Sequence, residues 1–273
     1  MSLRLELPPT FGQLLRDPER KRGLVGMWLS SGSTVNAEIC AGAGLDWLMI
    51  DGEHAPISLA SIQLQLQVVA AYPVTPIVRV PSVDRVIIKQ YLDLGAQNLL
   101  VPMVNNAEDA AEAVRAVRYP PAGVRGVGSA LSRGARWNRV DNYLTRANEE
   151  LVSLTVQIET AEAVANVDDI LNTDGVDAIF IGPSDLAASM GVIGQQGHPD
   201  VRAAIDTVVA AARKVGKPVG INAFDPTLAK QYLADGIDFI LVGADVALLA
   251  RATENLADQY LGGNTEGVTR ASY

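Results

Sequence analysis

The sequence predicts an α/β fold, a single (β/α)8 barrel of the TIM type, and three observations point there. Eight short runs rich in apolar and β-branched residues recur along the chain, several apolar at successive positions, as in Leu48-Met49-Ile50 and Ile179-Phe180-Ile181. Strands of that kind are buried on both faces and belong to parallel sheets covered by helices. Segments of helical period separate the runs, an alternation that closes most simply into a barrel. The length of 273 residues suits one such barrel, which typically takes about 250. An open, doubly wound sheet is the alternative use of the same units.

In chain order, strands are expected at 24–29, 47–51, 76–80, 98–103, 153–158, 178–182, 218–222 and 239–243. Helices are expected at 107–117, with Asn106 as N-cap, and at 200–215 and 226–235. Three strands are announced by a Gly and an Asp: Gly44-Leu45-Asp46, Gly175-Val176-Asp177 and Gly236-Ile237-Asp238. Glycine accepts the left-handed turn that ends a helix without steric cost. The recurrence marks one βα unit used repeatedly. Residues 1–22 read as an N-terminal extension, 23–261 as the barrel domain, and 262–273 as a polar, Gly-rich tail expected to fray. The longest irregular stretch, 118–139, is rich in Gly, Pro and Arg, and a loop of that length is expected to serve function or an interface.

Composition excludes several classes. Net charge is −9 and no run of Lys or Arg forms a patch, so nucleic acid is not an expected partner. The N-terminal residues include Glu6, Arg16, Asp17 and Glu19, which interrupt any signal-peptide core. No uncharged apolar stretch approaches the roughly 18 residues of a membrane span, so no membrane association is expected. Cys40 is the single cysteine, consistent with a reducing, cytoplasmic setting, and reads as a buried structural thiol. His198 reads as a surface residue.

Active sites of such barrels lie at the C-terminal ends of the strands. There the sequence places Asp51-Gly52-Glu53-His54 after the second strand, Arg79 at the third, Gln157-Ile158-Glu159 at the fifth, Gly182-Pro183-Ser184-Asp185 at the sixth and Asn222 at the seventh. Strand starts are expected to carry bland residues. Glu159 and Asp185 close adjacent strands, and two carboxylates with few other ligands suit a hard divalent ion that keeps open positions. The alternative is that each caps a helix. His54 is a candidate general base, with Asp51 three residues back to orient the imidazole. Arg79 inside a barrel strand needs an anionic partner, either a substrate oxyanion or a structural carboxylate such as Glu53. Gln157 and Asn222 can hydrogen-bond substrate or simply fill the rim. Gly182, Gly126 and Gly128 allow backbone N–H groups near an anion, and Gly182-Pro183-Ser184-Asp185 opening a helix is a plausible carboxylate seat.

Absences add to this. None of Lys21, Lys89, Lys214, Lys217 and Lys230 falls at a C-terminal strand end, so no Schiff-base lysine is expected. No Gly-x-Gly-x-x-Gly turn follows the first strand, so no nucleotide cofactor is expected.

Six ordered segments resemble the HpcH/HpaI aldolases, the class II pyruvate aldolases: Gly44-Leu45-Asp46 with Asp51-Gly52-Glu53-His54-Ala55-Pro56, Ile77-Val78-Arg79-Val80-Pro81, Leu99-Leu100-Val101-Pro102-Met103, Tyr119-Pro120-Pro121-Ala122-Gly123-Val124-Arg125-Gly126, Val156-Gln157-Ile158-Glu159-Thr160 and Phe180-Ile181-Gly182-Pro183-Ser184-Asp185-Leu186. The resemblance spans about Gly23 to Leu261. It implies a barrel of the phosphoenolpyruvate/pyruvate-domain type. It implies Glu159 and Asp185 as ligands of Mg2+, Mn2+ or Co2+, His54 as base with Asp51 as its partner, and Arg79 as the group that stabilises a pyruvate enolate. Gln157, Gly182, Pro183, Ser184 and Asp185 would contact substrate, and Asp93 would approach the site of a neighbouring subunit. A homo-oligomer is implied, a hexamer with an exchanged C-terminal helix.

The implied reaction is reversible retro-aldol cleavage of a 4-hydroxy-2-oxo acid to pyruvate and an aldehyde, succinic semialdehyde or a hydroxyaldehyde, in aromatic catabolism. A lyase acting on a coenzyme A thioester, of the citrate lyase beta type, is the alternative enzyme. A non-catalytic barrel protein is the alternative outside enzymes.

Overall fold

The computed structural model describes residues 3–261, so the tail expected to fray lies outside the described residues. Eight parallel strands close into one barrel in the order of the sequence: β1 (Leu24–Leu29), β2 (Trp47–Asp51), β3 (Thr75–Arg79), β4 (Asn98–Val101), β5 (Ser153–Ile158), β6 (Ala178–Ile181), β7 (Val219–Asn222) and β8 (Phe239–Ala244). β1 pairs with β8, with Leu24 opposite Phe239, so the sheet has no free edge. An open doubly wound sheet is thereby ruled out.

The core has two layers. Between strands and helices lie side chains such as Leu48, Ile50, Val78, Leu99, Ile179 and Ile240, all buried. Inside the barrel lie Trp28, Trp47, Met49, Ile77, Leu100, Phe180 and Phe239. Alternate residues of one strand therefore feed opposite layers, which is why these strands are apolar at successive positions. Large rings fit inside because glycine faces them: a Cβ on Gly26 would sit 2.5 Å from the Trp47 ring.

The lower end of the barrel is closed by the N-terminal segment. A short helix, Phe11–Leu15, is capped by Thr10 and Gln13 in reciprocal hydrogen bonds. Phe11 is inserted between Trp47 and Phe239, with ring centroids 5.3 and 5.2 Å away. The Phe11 and Gly12 N–H groups donate to Asn98 Oδ1 (2.7 Å) and Ser153 Oγ (3.0 Å) at the starts of β4 and β5.

Strand starts are therefore not bland, contrary to the sequence expectation. The aspartates of the three Gly-x-Asp motifs each accept an N–H from the neighbouring strand: Val25 to Asp46, Leu154 to Asp177, Val219 to Asp238. Each also pairs with an arginine of the N-terminal segment, Arg22 with Asp46 (2.6 Å), Arg16 with Asp177 (2.9 Å) and Arg20 with Asp238 (2.6 Å). The motif thus caps the adjacent strand as well as opening its own.

Several expected boundaries move by one or two residues. The strand expected over 98–103 ends at Val101, because Pro102 has no N–H for the ladder and Met103 turns into the left-handed region at φ 54°. The expected helices are observed as Ala107–Val117, Pro199–Lys214 and Pro226–Ala234, the first with the Asn106 side chain accepting from Asp109 N. Cys40 is half-buried rather than enclosed, and burial raises its thiol pKa. The last described helix, Asp245–Leu261, buries only Asp245 and leaves Leu248, Leu249, Leu256 and Tyr260 exposed.

Candidate active site

At the upper rim, β2 and β3 are paired so that Asp51 lies opposite Arg79. Asp51 ends a strand, and its Oδ1 accepts from the backbone N–H groups of Glu53 (3.0 Å) and His54 (3.3 Å), closing an Asx turn. The same carboxylate holds the guanidinium: Arg79 Nε donates to Asp51 Oδ1 at 2.9 Å, and Nη2 lies 2.8 Å from Oδ2. Arg79 Nη1 lies 2.9 Å from Glu53 Oε2. Both alternatives for the arginine are thus partly realised: it is paired with structural carboxylates, and it faces a cavity. A guanidinium carries five N–H bonds, more than these three contacts take up, so donors remain for a bound oxyanion.

The tight turn requires Gly52, since a Cβ there would lie 2.5 Å from the Arg79 carbonyl and 2.7 Å from Tyr91 Oη. The expectation that Asp51 orients the His54 imidazole needs correction. Asp51 reaches the His54 backbone and not its ring, because the Asx turn and Arg79 take up the carboxylate. The carboxylate nearest the ring is Glu53, 3.9 Å from Nε2, and the imidazole is largely exposed at the rim.

β5 ends in a second buried group. Glu159 Oε1 accepts the Met103 N–H at 2.7 Å, and Oε2 accepts from Gln157 Nε2. The left-handed turn at Met103 is what aims that N–H at the carboxylate. Burial pushes the Glu159 carboxyl above its ordinary range, Asp185 and Glu53 push further, and the two hydrogen bonds oppose them. Glu53 is raised as well, chiefly by burial, with Asp51 and Asp185 adding to it against Arg79 and His54.

β6 gives way to the helix Pro183–Ser189 at Gly182, whose N–H donates to the Ile158 carbonyl. Asp185 stands exposed in the first turn of that helix, and Ser184 Oγ accepts from Gln196 Nε2 at 3.1 Å. A Cβ on Gly182 would fall 2.9 Å from Glu159 Oε2 and 3.0 Å from Gln157 Nε2, so the backbone of β6 must pass close to the buried pair.

A cavity of about 550 Å³ opens over this rim. Asp51, His54, Arg79, Gln157, Ser184 and Asp185 line it together with the apolar Trp28, Phe180, Phe224 and Val246. A larger cleft of about 700 Å³ at the barrel's lower end, beside Asp17, Arg20 and Asp46, gathers none of the rim residues. Asn222 is at the rim but its Oδ1 accepts from Trp28 Nε1 at 2.9 Å, so it serves another side chain. Gly126 and Gly128 lie elsewhere, beside Lys89 and Asp93 on the helix Arg85–Asp93. Asp93 is not in this chain's cavity; its Oδ1 is 3.6 Å from the buried Arg125. Trp28 and the wall formed by Phe224 and Val246 were not found by sequence reasoning. An aromatic residue within an apolar run carries no polar signal.

The fit of a divalent cation can be judged from donor chemistry. No cluster of three or more His, Cys, Asp or Glu suited to a metal occurs among the described residues. Asp185 nevertheless adds to the upward push on the Glu159 carboxyl, and Gln157 Oε1 is buried without a hydrogen-bond partner. Hard oxygen donors with two carboxylates among them fit a hard divalent ion that leaves positions for water and substrate.

Residues 24–252 match the family model described as HpcH/HpaI aldolase/citrate lyase. The chain is 54% identical over 239 residues to a 4-hydroxy-2-oxo-heptane-1,7-dioate aldolase of Escherichia coli, covering 88% of this chain and 91% of the relative. It is 52% identical over 250 residues to the protein of that name from Shigella flexneri, covering 92% of each. Among solved structures, an HpcH/HpaI aldolase/citrate lyase family protein from Burkholderia cenocepacia superposes with a TM-score of 0.86 at 43% identity, over 91% of this chain and 97% of the other. An HpcH/HpaI aldolase from Desulfitobacterium hafniense gives 0.84 at 31% identity, over 96% of this chain and 100% of the other.

Proposed function

The chain belongs to the HpcH/HpaI aldolase/citrate lyase family and is an aldolase, a carbon–carbon lyase; from that premise we propose that it cleaves 4-hydroxy-2-oxo acids to pyruvate and an aldehyde, reversibly and with a divalent cation. The observation that carries this reading is the meeting of a carboxylate-braced arginine with Gln157 and the rim aspartate Asp185 at one cavity, Gln157 being hydrogen-bonded in turn to the buried Glu159. The substrate named for its relatives, a 4-hydroxy-2-oxoheptanedioate, is the first to try, with succinic semialdehyde as the released aldehyde.

A cation held by Glu159 and Asp185, as Mg2+, Mn2+ or Co2+, would supply a Lewis acid for the 2-oxo acid. The chain's own residues supply the rest. The Pro183–Ser189 helix opens at Gly182 and turns its first N–H groups, those of Ser184 and Asp185, toward an incoming carboxylate. His54, at the cavity mouth, takes the C4 hydroxyl proton, an imidazole being the side chain that exchanges protons near neutral pH. As the C3–C4 bond breaks, negative charge gathers on the keto oxygen, and the free N–H bonds of Arg79 offset it. Asp51 and Glu53 hold the guanidinium for that role, and Gln157 holds Glu159.

The chain is proposed to act as a homo-oligomer, a hexamer, in the cytoplasm. The exposed apolar side chains of the helix Asp245–Leu261 support exchange of that helix between copies, and Asp93 then approaches a neighbour's cavity. Sedimentation analysis tests the assembly. The reaction is tested by pyruvate release over a panel of 4-hydroxy-2-oxo acids, with and without a chelator. Release that stops with chelator and returns with Mg2+ supports the reading, and no release from any member of the panel rejects it.

A further inference from the structure

We propose that Trp28 is the positioning residue for Arg79, itself held by Asn222, and that this stack sets how strongly the guanidinium stabilises enolate charge. The inference rests on the aldolase reading above and adds to it.

Three observations carry it. The Arg79 guanidinium carbon lies 4.3 Å from the centroid of the Trp28 ring, so the ring covers a face that Asp51 and Glu53, which hold the edges, leave open. The ring is itself fixed: Nε1 donates to Asn222 Oδ1 at 2.9 Å, and Phe180 meets it edge-on with centroids 6.4 Å apart at 79°. Trp28 is 9% exposed, so its indole N–H has no easy recourse to water if Asn222 is lost.

The chain of contact runs from Asn222 on β7 through Trp28 on β1 and Arg79 on β3 to Asp51 on β2, across the barrel mouth. A guanidinium stacked on an indole is attracted by the ring quadrupole, more so where water is excluded. The ring also keeps water from one face of the cation, which strengthens its field toward the cavity. Without it, the arginine is free to tilt onto its two carboxylates and present fewer N–H bonds to substrate. The effect falls on charge that develops during reaction, so it reads out in turnover rather than in ground-state binding.

Trp28 also lines the cavity, so contact with the aldehyde half is the rival role. The test therefore omits the aldehyde. Exchange of the pyruvate methyl protons with deuterium is followed by NMR on the Mg2+-loaded enzyme, for wild type, Trp28→Phe, Trp28→Leu and Asn222→Ala, each repeated with Arg79→Lys. Trp28→Leu is expected to slow saturated exchange about tenfold while the half-saturating pyruvate concentration changes less than about twofold. Trp28→Phe keeps a ring face over the cation and should lose less than about threefold. With lysine at 79, the Trp28→Leu loss should shrink to under about twofold, because the stacked plane is already gone.

Equal losses by Trp28→Leu in the two backgrounds, or a wild-type rate in that variant, would overturn the inference. Should Trp28→Leu fail to fold by circular dichroism, Asn222→Ala decides: slowed exchange restored by Asn222→Asp, which keeps the acceptor oxygen, supports the relay, and a wild-type rate rejects it. Absence of exchange in the wild type would count against the aldolase reading itself.

Discussion

Arg79 and Asp51 face each other on neighbouring strands through two contacts, Nε to Oδ1 at 2.9 Å and Nη2 to Oδ2 at 2.8 Å. Both side chains are almost fully buried, so neither charge has water to fall back on. Breaking a buried pair by removing one partner typically costs about 3–5 kcal/mol. Asp51→Ala is therefore expected to lose stability on that order in urea melts. It should also lower kcat, since the turn bearing Glu53 and His54 loses its anchor. Asp51→Asn retains an acceptor for both backbone N–H groups and should lose less of each.

Arg79→Ala tests where the guanidinium acts. Removing one donor aimed at developing charge commonly costs about 100- to 1000-fold in kcat. Steady-state kinetics should show a kcat loss of that size with a smaller change in KM. A variant with raised KM and intact kcat would place Arg79 in ground-state binding instead.

Glu159 makes stability depend on pH in a stated direction. Burial raises its carboxyl pKa in the folded protein above the ordinary 4.5. A raised carboxyl binds its proton more tightly in the native state, so its contribution is complete below that ordinary value and is lost as pH rises through the folded one. Metal-free wild type should therefore lose melting temperature relative to Glu159→Gln as pH rises above that ordinary value. Mg2+ should restore it at the higher pH in the wild type alone. Calorimetry with and without chelator checks this, and a Mg2+ gain of equal size in Glu159→Gln would contradict it.

Much of this was legible in the sequence. The eight strands were legible as short runs rich in apolar and β-branched residues, several of them apolar at successive positions, and the rim because Asp51, Arg79, Glu159 and Asp185 fall at or just beyond the ends of such runs. What escaped depends on contacts between distant positions. Asp51 reads as a partner for His54 three residues away, yet pairs with Arg79 across the sheet. Asp46, Asp177 and Asp238 read as local turn residues, yet each meets an arginine of the N-terminal segment. Trp28 sits inside an apolar run and becomes functional only because Arg79 comes to lie against its face.

Gly182 offers a substitution of a single methyl group. The added Cβ would sit 2.9 Å from Glu159 Oε2, which must then move. Gly182→Ala is expected to weaken Mg2+ activation about tenfold or more, the loss typical when a ligand's supporting contacts are disturbed. The activating Mg2+ concentration measures it directly, and an unchanged value would show that Glu159 has freedom the packing denies.

The proposed reaction depends on one cation held by Glu159 and Asp185. Mn2+ titration followed by electron paramagnetic resonance reads that grip without any turnover. Wild type should take up one Mn2+ per chain, and the pair of changes Glu159→Gln and Asp185→Asn together should abolish that uptake while leaving the circular dichroism spectrum intact. Undiminished Mn2+ uptake by the folded double variant would contradict the account.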